Sequence, residues 1–158
     1  YLGVAALALV WLRQEGERLS PEPDWGPLGA LLLQIWATDT FAYLVGRKFG
    51  GAKLAPRISP NKTWSGLIGG ALASGIVMGL VAYAFDFIQA KSWFFVIGFV
   101  LALVAQAGDL FESYLKRQAG FKDSGSLLPG HGGLLDRVDG LLAAAPVFMI
   151  IFYALIQR

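Results

Sequence analysis

Asp109, Glu112, Ser113 and Lys116 fall at i, i+3, i+4 and i+7, the spacing that puts four polar side chains on one face of a helix. Asp136 and Asp139 stand three apart further along, and Asp39 is alone in the apolar run IWATDTFAYLVG. Carboxylates drawn from separate segments, in a chain with no cysteine and one histidine, suit a hard cation such as Mg²⁺ rather than zinc. Taken by themselves, Asp136 and Asp139 have a plainer explanation, because acids in the first turn of a helix complement its dipole.

A divalent cation beside many lysines and arginines points to phosphates. Residues 113–140 hold four basic residues, three aspartates and six glycines. Within them Gly130-His131-Gly132-Gly133 can present consecutive backbone N–H groups as an anion-binding concavity, although such a run also serves as a flexible loop and a lone histidine as a structural hydrogen bonder. A second basic stretch, GRKFGGAKLAPRISPNKTWSG at 46–66, presents Ser59, Lys62 and Thr63 beside Pro56 and Pro60, which stiffen the turn. It lacks the glycines of a Walker A loop. Arg47 and Lys48 in it read as topological anchors or headgroup contacts.

The elements that must position these residues are apolar. The chain has 158 residues, 56% hydrophobic and 15% charged, with a mean hydropathy of +0.57. Segments 28–46, 66–85, 93–112 and 138–157 each have 19 or 20 residues, enough helix to cross a hydrocarbon core of ~30 Å. Backbone groups in lipid must bond internally, and no strand-like alternation is visible, so these segments are expected to be helices. Residues 1–12 form a shorter apolar run without the basic lead or cleavage site of a signal peptide. We expect it to be a clipped spanning helix, and the N-terminal part of the protein to be missing. The expected fold is an all-α, polytopic integral membrane bundle of about five transmembrane helices, a single catalytic domain over 1–158.

Charge orients the bundle. The two basic loops carry nine of the thirteen lysines and arginines, which assigns them to the cytoplasm by the positive-inside rule. A net charge of +2 indicates no nucleic-acid partner. An aspartate at mid-membrane costs roughly 2.5 to 3.5 kcal/mol, so Asp39 and Asp109 demand either a function or a basic partner from another helix. Gly66-x-x-x-Gly70 and Gly75-x-x-x-Gly79 fit close helix contact.

The stretch from Ser113 to Asp139, reading S-x-L-K-R-x₄-K-D-x-G-x₂-L-P-x-H-G-G-L-x-D-R-V-D, resembles over 27 positions the signature of the phosphatidate cytidylyltransferases. The upstream DTFAYLVGRKFGGAKLAPRISPNKTWSG, 39–66, is similar to a second segment of that family, with Ser65 where members commonly carry glutamate. The resemblance covers the C-terminal half of a typical bacterial member. It implies conversion of phosphatidate and CTP to CDP-diacylglycerol and pyrophosphate by a multi-pass protein of the bacterial plasma membrane. It further implies a homodimer, a site facing the cytoplasm, and Mg²⁺ with a second cation as an option. For this reaction we expect Asp109 and Asp136 to hold Mg²⁺, with Asp139 as a further ligand or an orienting group, and Lys116, Lys122 and Arg137 to neutralise the phosphates. His131, Gly132 and Gly133 would donate to them, and Ser113 and Arg117 fall within the same matched stretch as substrate-binding residues. Ser59, Lys62 and Thr63 would bind nucleotide or lipid phosphate, with Asp39 in the cavity wall.

Two enzymatic alternatives need the same chemistry: a polyprenol kinase and an archaeal ether-lipid cytidylyltransferase. A transporter would also carry intramembrane carboxylates, but it has no need of a long basic, glycine-rich loop aimed at them.

Overall fold

A computed structural model describes residues 1–19, 26–84, 91–121 and 138–157. Five helices form: α1 (Leu2–Leu19), α2 (Gly26–Phe49), α3 (Trp64–Ala84), α4 (Lys91–Gln118) and α5 (Asp139–Ile156). Each packs on its successor, and α1 touches both α2 and α5, so the helices close into a ring. Leu12, Leu31, Met78, Leu101 and Phe148, one from each helix, are fully buried within one core. The outward faces carry exposed Trp36, Leu80 and Ile150, the surface of a protein whose solvent is lipid. The all-α membrane bundle expected from the hydropathy pattern is what forms.

Among the described residues four helices are long and apolar enough to cross a membrane, namely α2, α3, α5 and Trp93–Gln118 within α4. The first helix is not among them, because Arg13, Glu15, Glu17 and Arg18 crowd its final turns. They pair along the helix, Arg13 with Glu17 at 3.1 Å and Arg18 with Glu15 at 2.8 Å.

Glycine sets how closely the helices approach. A Cβ at Gly66 would lie 2.6 Å from the Ala42 carbonyl oxygen, and one at Gly70 2.7 Å from that of Thr38, so the first small-residue pair fixes the α2–α3 contact. In the second pair Gly75 meets Phe95 of α4 while Gly79 faces open space. A buried polar node crosses the same contacts. Gln34 Nε2 donates to Thr38 Oγ1 at 3.2 Å and to Ser74 Oγ at 2.9 Å, and Ser74 Oγ donates to the Gly98 carbonyl at 2.6 Å. Three helices are thereby tied by neutral hydrogen bonds.

Between α2 and α3 the chain makes an antiparallel hairpin, β1 (Lys53–Ala55) and β2 (Ser59–Thr63), with Lys53 opposite Thr63 and Ala55 opposite Ser59. No alternating pattern announces it. Its entry is set by Gly50 and Gly51, at φ 59° and 97°, the left-handed region where a side chain would be strained. Its exit is capped: Thr63 Oγ1 accepts from Gly66 N–H at 3.1 Å, as an N-cap residue does. Ser65 Oγ donates to the Gly50 carbonyl at 2.5 Å and bonds Thr63 Oγ1 at 3.1 Å, closing entry onto exit.

Candidate active site

The hairpin lies beside a cavity of about 620 Å³ whose walls come from α2, the hairpin, the start of α3, and α4. One part is acidic. Asp39 of α2 and Asp109 of α4 both line it, and each is close enough to feel the other's charge. Lys62 Nζ, from β2, makes an ion pair with Asp109 Oδ2, both side chains being mostly buried. Gln106 Nε2 donates to Asp39 Oδ1 at 3.3 Å, and Ser113 Oγ donates to Asp109 Oδ1 at 3.3 Å. The two aspartates that were costly by sequence therefore converge on one space, and a lysine from the neighbouring hairpin meets them there.

The polar face of α4 continues out of the cavity. Lys116 Nζ lies 3.6 Å from Glu112 Oε1. Asp139, at the start of α5, interacts with both Asp109 and Glu112 and accepts from Gly140 N–H at 2.6 Å. This approach depends on Gly108, where a Cβ would overlap that of Ala143 on α5. Helices α4 and α5 thus meet with only the Ala143 methyl between them at this level.

The remaining expected site residues divide. Thr63 lines the cavity, but its hydroxyl is engaged by the α3 cap and by Ser65. Ser59 pairs with Ala55 in the hairpin and does not line the cavity. Arg117 turns back on its own chain, donating to the Phe121 carbonyl at 3.2 Å. Lys122, His131, Gly132, Gly133, Asp136 and Arg137 lie outside the described residues, and so does any distance between Asp109 and Asp136.

Gln106 and Arg47 were missed by sequence reasoning. The first left a signal: an amide one turn before Asp109 in an otherwise apolar run. The sequence reads the second, like Lys48, as an anchor or a headgroup contact, yet the two neighbours part company. Arg47 lines the cavity, while the Lys48 ammonium sits 5.6 Å from the ring centroid of Phe49.

The donors suit a hard cation in kind, being oxygens without sulfur, and the Lys62 ammonium already holds a positive charge against Asp109. Among the described residues no three His, Cys, Asp or Glu side chains are grouped to hold a metal ion.

Known proteins resemble this chain over most of its length. Residues 21–155 match the sequence profile of the Cytidylyltransferase family. Phosphatidate cytidylyltransferase of Rickettsia felis is 50% identical over 123 residues, 74% of this chain and 54% of the relative. The protein of the same name from Brucella abortus is 48% identical over 151 residues, 95% of this chain and 53% of the relative. The chain spans about half the length of the curated relatives it matches.

Proposed function

The chain belongs to the cytidylyltransferase family, and we propose that the protein of which it forms the catalytic part transfers a cytidylyl group from CTP to phosphatidate, releasing pyrophosphate. The observation that carries this reading is the convergence of Asp39, Asp109 and Lys62 on one cavity among membrane-spanning helices. A water-soluble triphosphate and a lipid can meet in such a place. The relatives' name supplies the identity of the acceptor.

The reaction needs no strong base. A phosphate monoester with a second pKa near ~6 is largely dianionic at neutral pH, so its oxygen attacks the α-phosphorus of CTP directly while the bond to pyrophosphate breaks. The obstacle is the approach of two anions. Asp109, with Asp136 beyond the described residues, would hold Mg²⁺ on the triphosphate, with Asp39 in the cavity wall and Asp139 beside Asp109 to orient it. Bound there, the ion supplies charge neutralisation and a fixed geometry for the phosphates. Lys62, paired with Asp109 here, would donate to a phosphate oxygen of the bound substrate. Lys116, Lys122 and Arg137 would neutralise the leaving pyrophosphate, with N–H groups of His131, Gly132 and Gly133 donating to it. Ser113 keeps Asp109 oriented. The distribution of lysine and arginine supports a site open to the cytoplasmic face of the cell membrane.

The test is product identity. The full-length protein in phosphatidate-containing liposomes, given CTP labelled in the base and Mg²⁺, is expected to place label on the lipid and to release pyrophosphate. Free labelled CDP with a phosphorylated lipid would mean a kinase instead, and CTP-independent solute flux a transporter.

A further inference from the structure

The cavity has a second, basic region that the chemistry above does not use. Arg47 of α2 and Lys53 of β1 both line it, and among the described residues neither meets a carboxylate. This separates them from Lys62, which is committed to Asp109, and from Lys116, which pairs with Glu112. Arg47 is also held in place. Its Nη1 donates to the Tyr43 hydroxyl at 2.7 Å, and the guanidinium lies 6.0 Å from the centroid of that ring. One N–H direction is thus consumed in orientation and the others of the planar fork remain available, the form in which arginine takes a phosphate at two oxygens. Asn61 adds an amide to the same wall.

Depth identifies the anion. Arg47 is two residues from the end of α2, about 3 Å along the axis, and exposed Tyr43, Phe49 and Trp64 surround this level of the bundle. Aromatic residues of that kind settle at the membrane interface, where lipid phosphates lie. A triphosphate entering from water would be drawn to the cation-binding acids, whereas a lipid's phosphate is confined by its acyl chains to the depth of Arg47.

We propose that Arg47, oriented by Tyr43 and assisted by Lys53, forms the subsite for the phosphate monoester of the lipid substrate. The proposal rests on the cytidylyltransfer reading and gives the two anionic substrates different side chains of one cavity.

The experiment measures KM for phosphatidate and for CTP separately, with the full-length protein in mixed micelles, for Arg47→Ala, Arg47→Lys, Tyr43→Phe and the control Lys48→Ala. Arg47→Ala is expected to raise the phosphatidate KM about tenfold or more while the CTP KM stays within about twofold, as loss of a charge-assisted contact to one ligand requires. Arg47→Lys should recover part of the loss, Tyr43→Phe should show a smaller rise in the same KM, and Lys48→Ala should match wild type. A rise in the CTP KM instead would assign Arg47 to the nucleotide, and unchanged constants for both substrates would remove it from the site; either outcome overturns the proposal. Phosphatidate binding without CTP, followed by native mass spectrometry, separates the two layers. Wild type that binds the lipid, loses that binding in Arg47→Ala, yet yields no CDP-lipid would sustain the subsite and refute the transfer reaction.

Discussion

Thr38 and Asp39 are neighbours on α2, yet they belong to two different polar regions inside the same bundle. Thr38 joins Gln34 and Ser74 in a buried node of neutral groups bonded to one another and to helix carbonyls. Asp39 faces the cavity, where it meets Gln106 and the charges of Asp109 and Lys62. The node links α2, α3 and α4 in the apolar core and contains no ionisable group. The cavity brings carboxylates together, which an architecture seeking only stability would avoid, since each costs roughly 2.5 to 3.5 kcal/mol at mid-membrane. Neutral polar groups inside lipid fix helix positions, whereas convergent charges with empty space between them mark the place for a charged ligand.

If that division holds, substitutions in the cavity should change turnover and those in the node should change stability. The largest effect is expected from Asp109→Asn, which keeps shape and hydrogen bonding but removes the charge opposite Lys62. Turnover of labelled CTP into lipid should fall on the order of 10²-fold or more, the loss of roughly 3 kcal/mol of transition-state stabilisation, with the protein still folded in detergent. A rate within a few fold of wild type would show that the acidic region has no part in the chemistry. Ser74→Ala should do the reverse. It strips a donor from the Gly98 carbonyl and an acceptor from Gln34, and intramembrane hydrogen bonds of this kind contribute about 0.6 and at most about 1.7 kcal/mol. Unfolding by SDS titration should register that loss, while kcat and both KM values of the folded fraction stay within about twofold. A comparable fall in kcat would mean that the node is catalytic machinery.

The same contrast decides what could be read before any coordinates. The four long helices were legible because nothing but a buried helix accommodates 19 or 20 apolar residues, and Asp39 and Asp109 stood out because charge there is expensive. Helix ends were less so: α4 runs to Gln118, past the expected 112, because its last turns trade lipid contacts for the Lys116–Glu112 pair. The hairpin was illegible since strands of three and five residues, one containing Pro60, have no period to detect and are held by Gly50, Thr63 and Ser65 instead. Lys62 and Asp109 were each singled out but their pairing was not, as they stand 47 positions apart and only the hairpin's placement joins them. Gln106 and the node escaped because amides and hydroxyls cost too little in an apolar run to raise an alarm. Nothing in the pair Arg47-Lys48 says which faces the cavity. Adjacent residues on a helix diverge by about 100°, and the rotation of α2 is set by the glycines of α3 against Thr38 and Ala42.

The smallest expected effect tests the boundary between the two regions. Thr38 belongs to the node through its hydroxyl, which donates to the Gln34 carbonyl at 2.9 Å and accepts from Gln34 Nε2. Valine reproduces its volume and branching, so Thr38→Val opens no void and leaves Gln34 Nε2 its bond to Ser74. Both bonds lie within α2 and link no second helix, so the cost should be about 0.5 kcal/mol, no more than the mean of about 0.6 kcal/mol for a bond between membrane helices. The SDS-unfolding midpoint should shift less than in Ser74→Ala. Asp39 follows directly in the chain and its orientation depends on the rotation of α2, so turnover reports on coupling independently of stability. Unchanged kcat with a small stability loss means that α2 is held by its glycine contacts and that the regions are separate. A drop in kcat beyond the stability change would mean that the neutral bonds of Thr38 aim Asp39 into the cavity, and the node would then have to be counted as part of the active site.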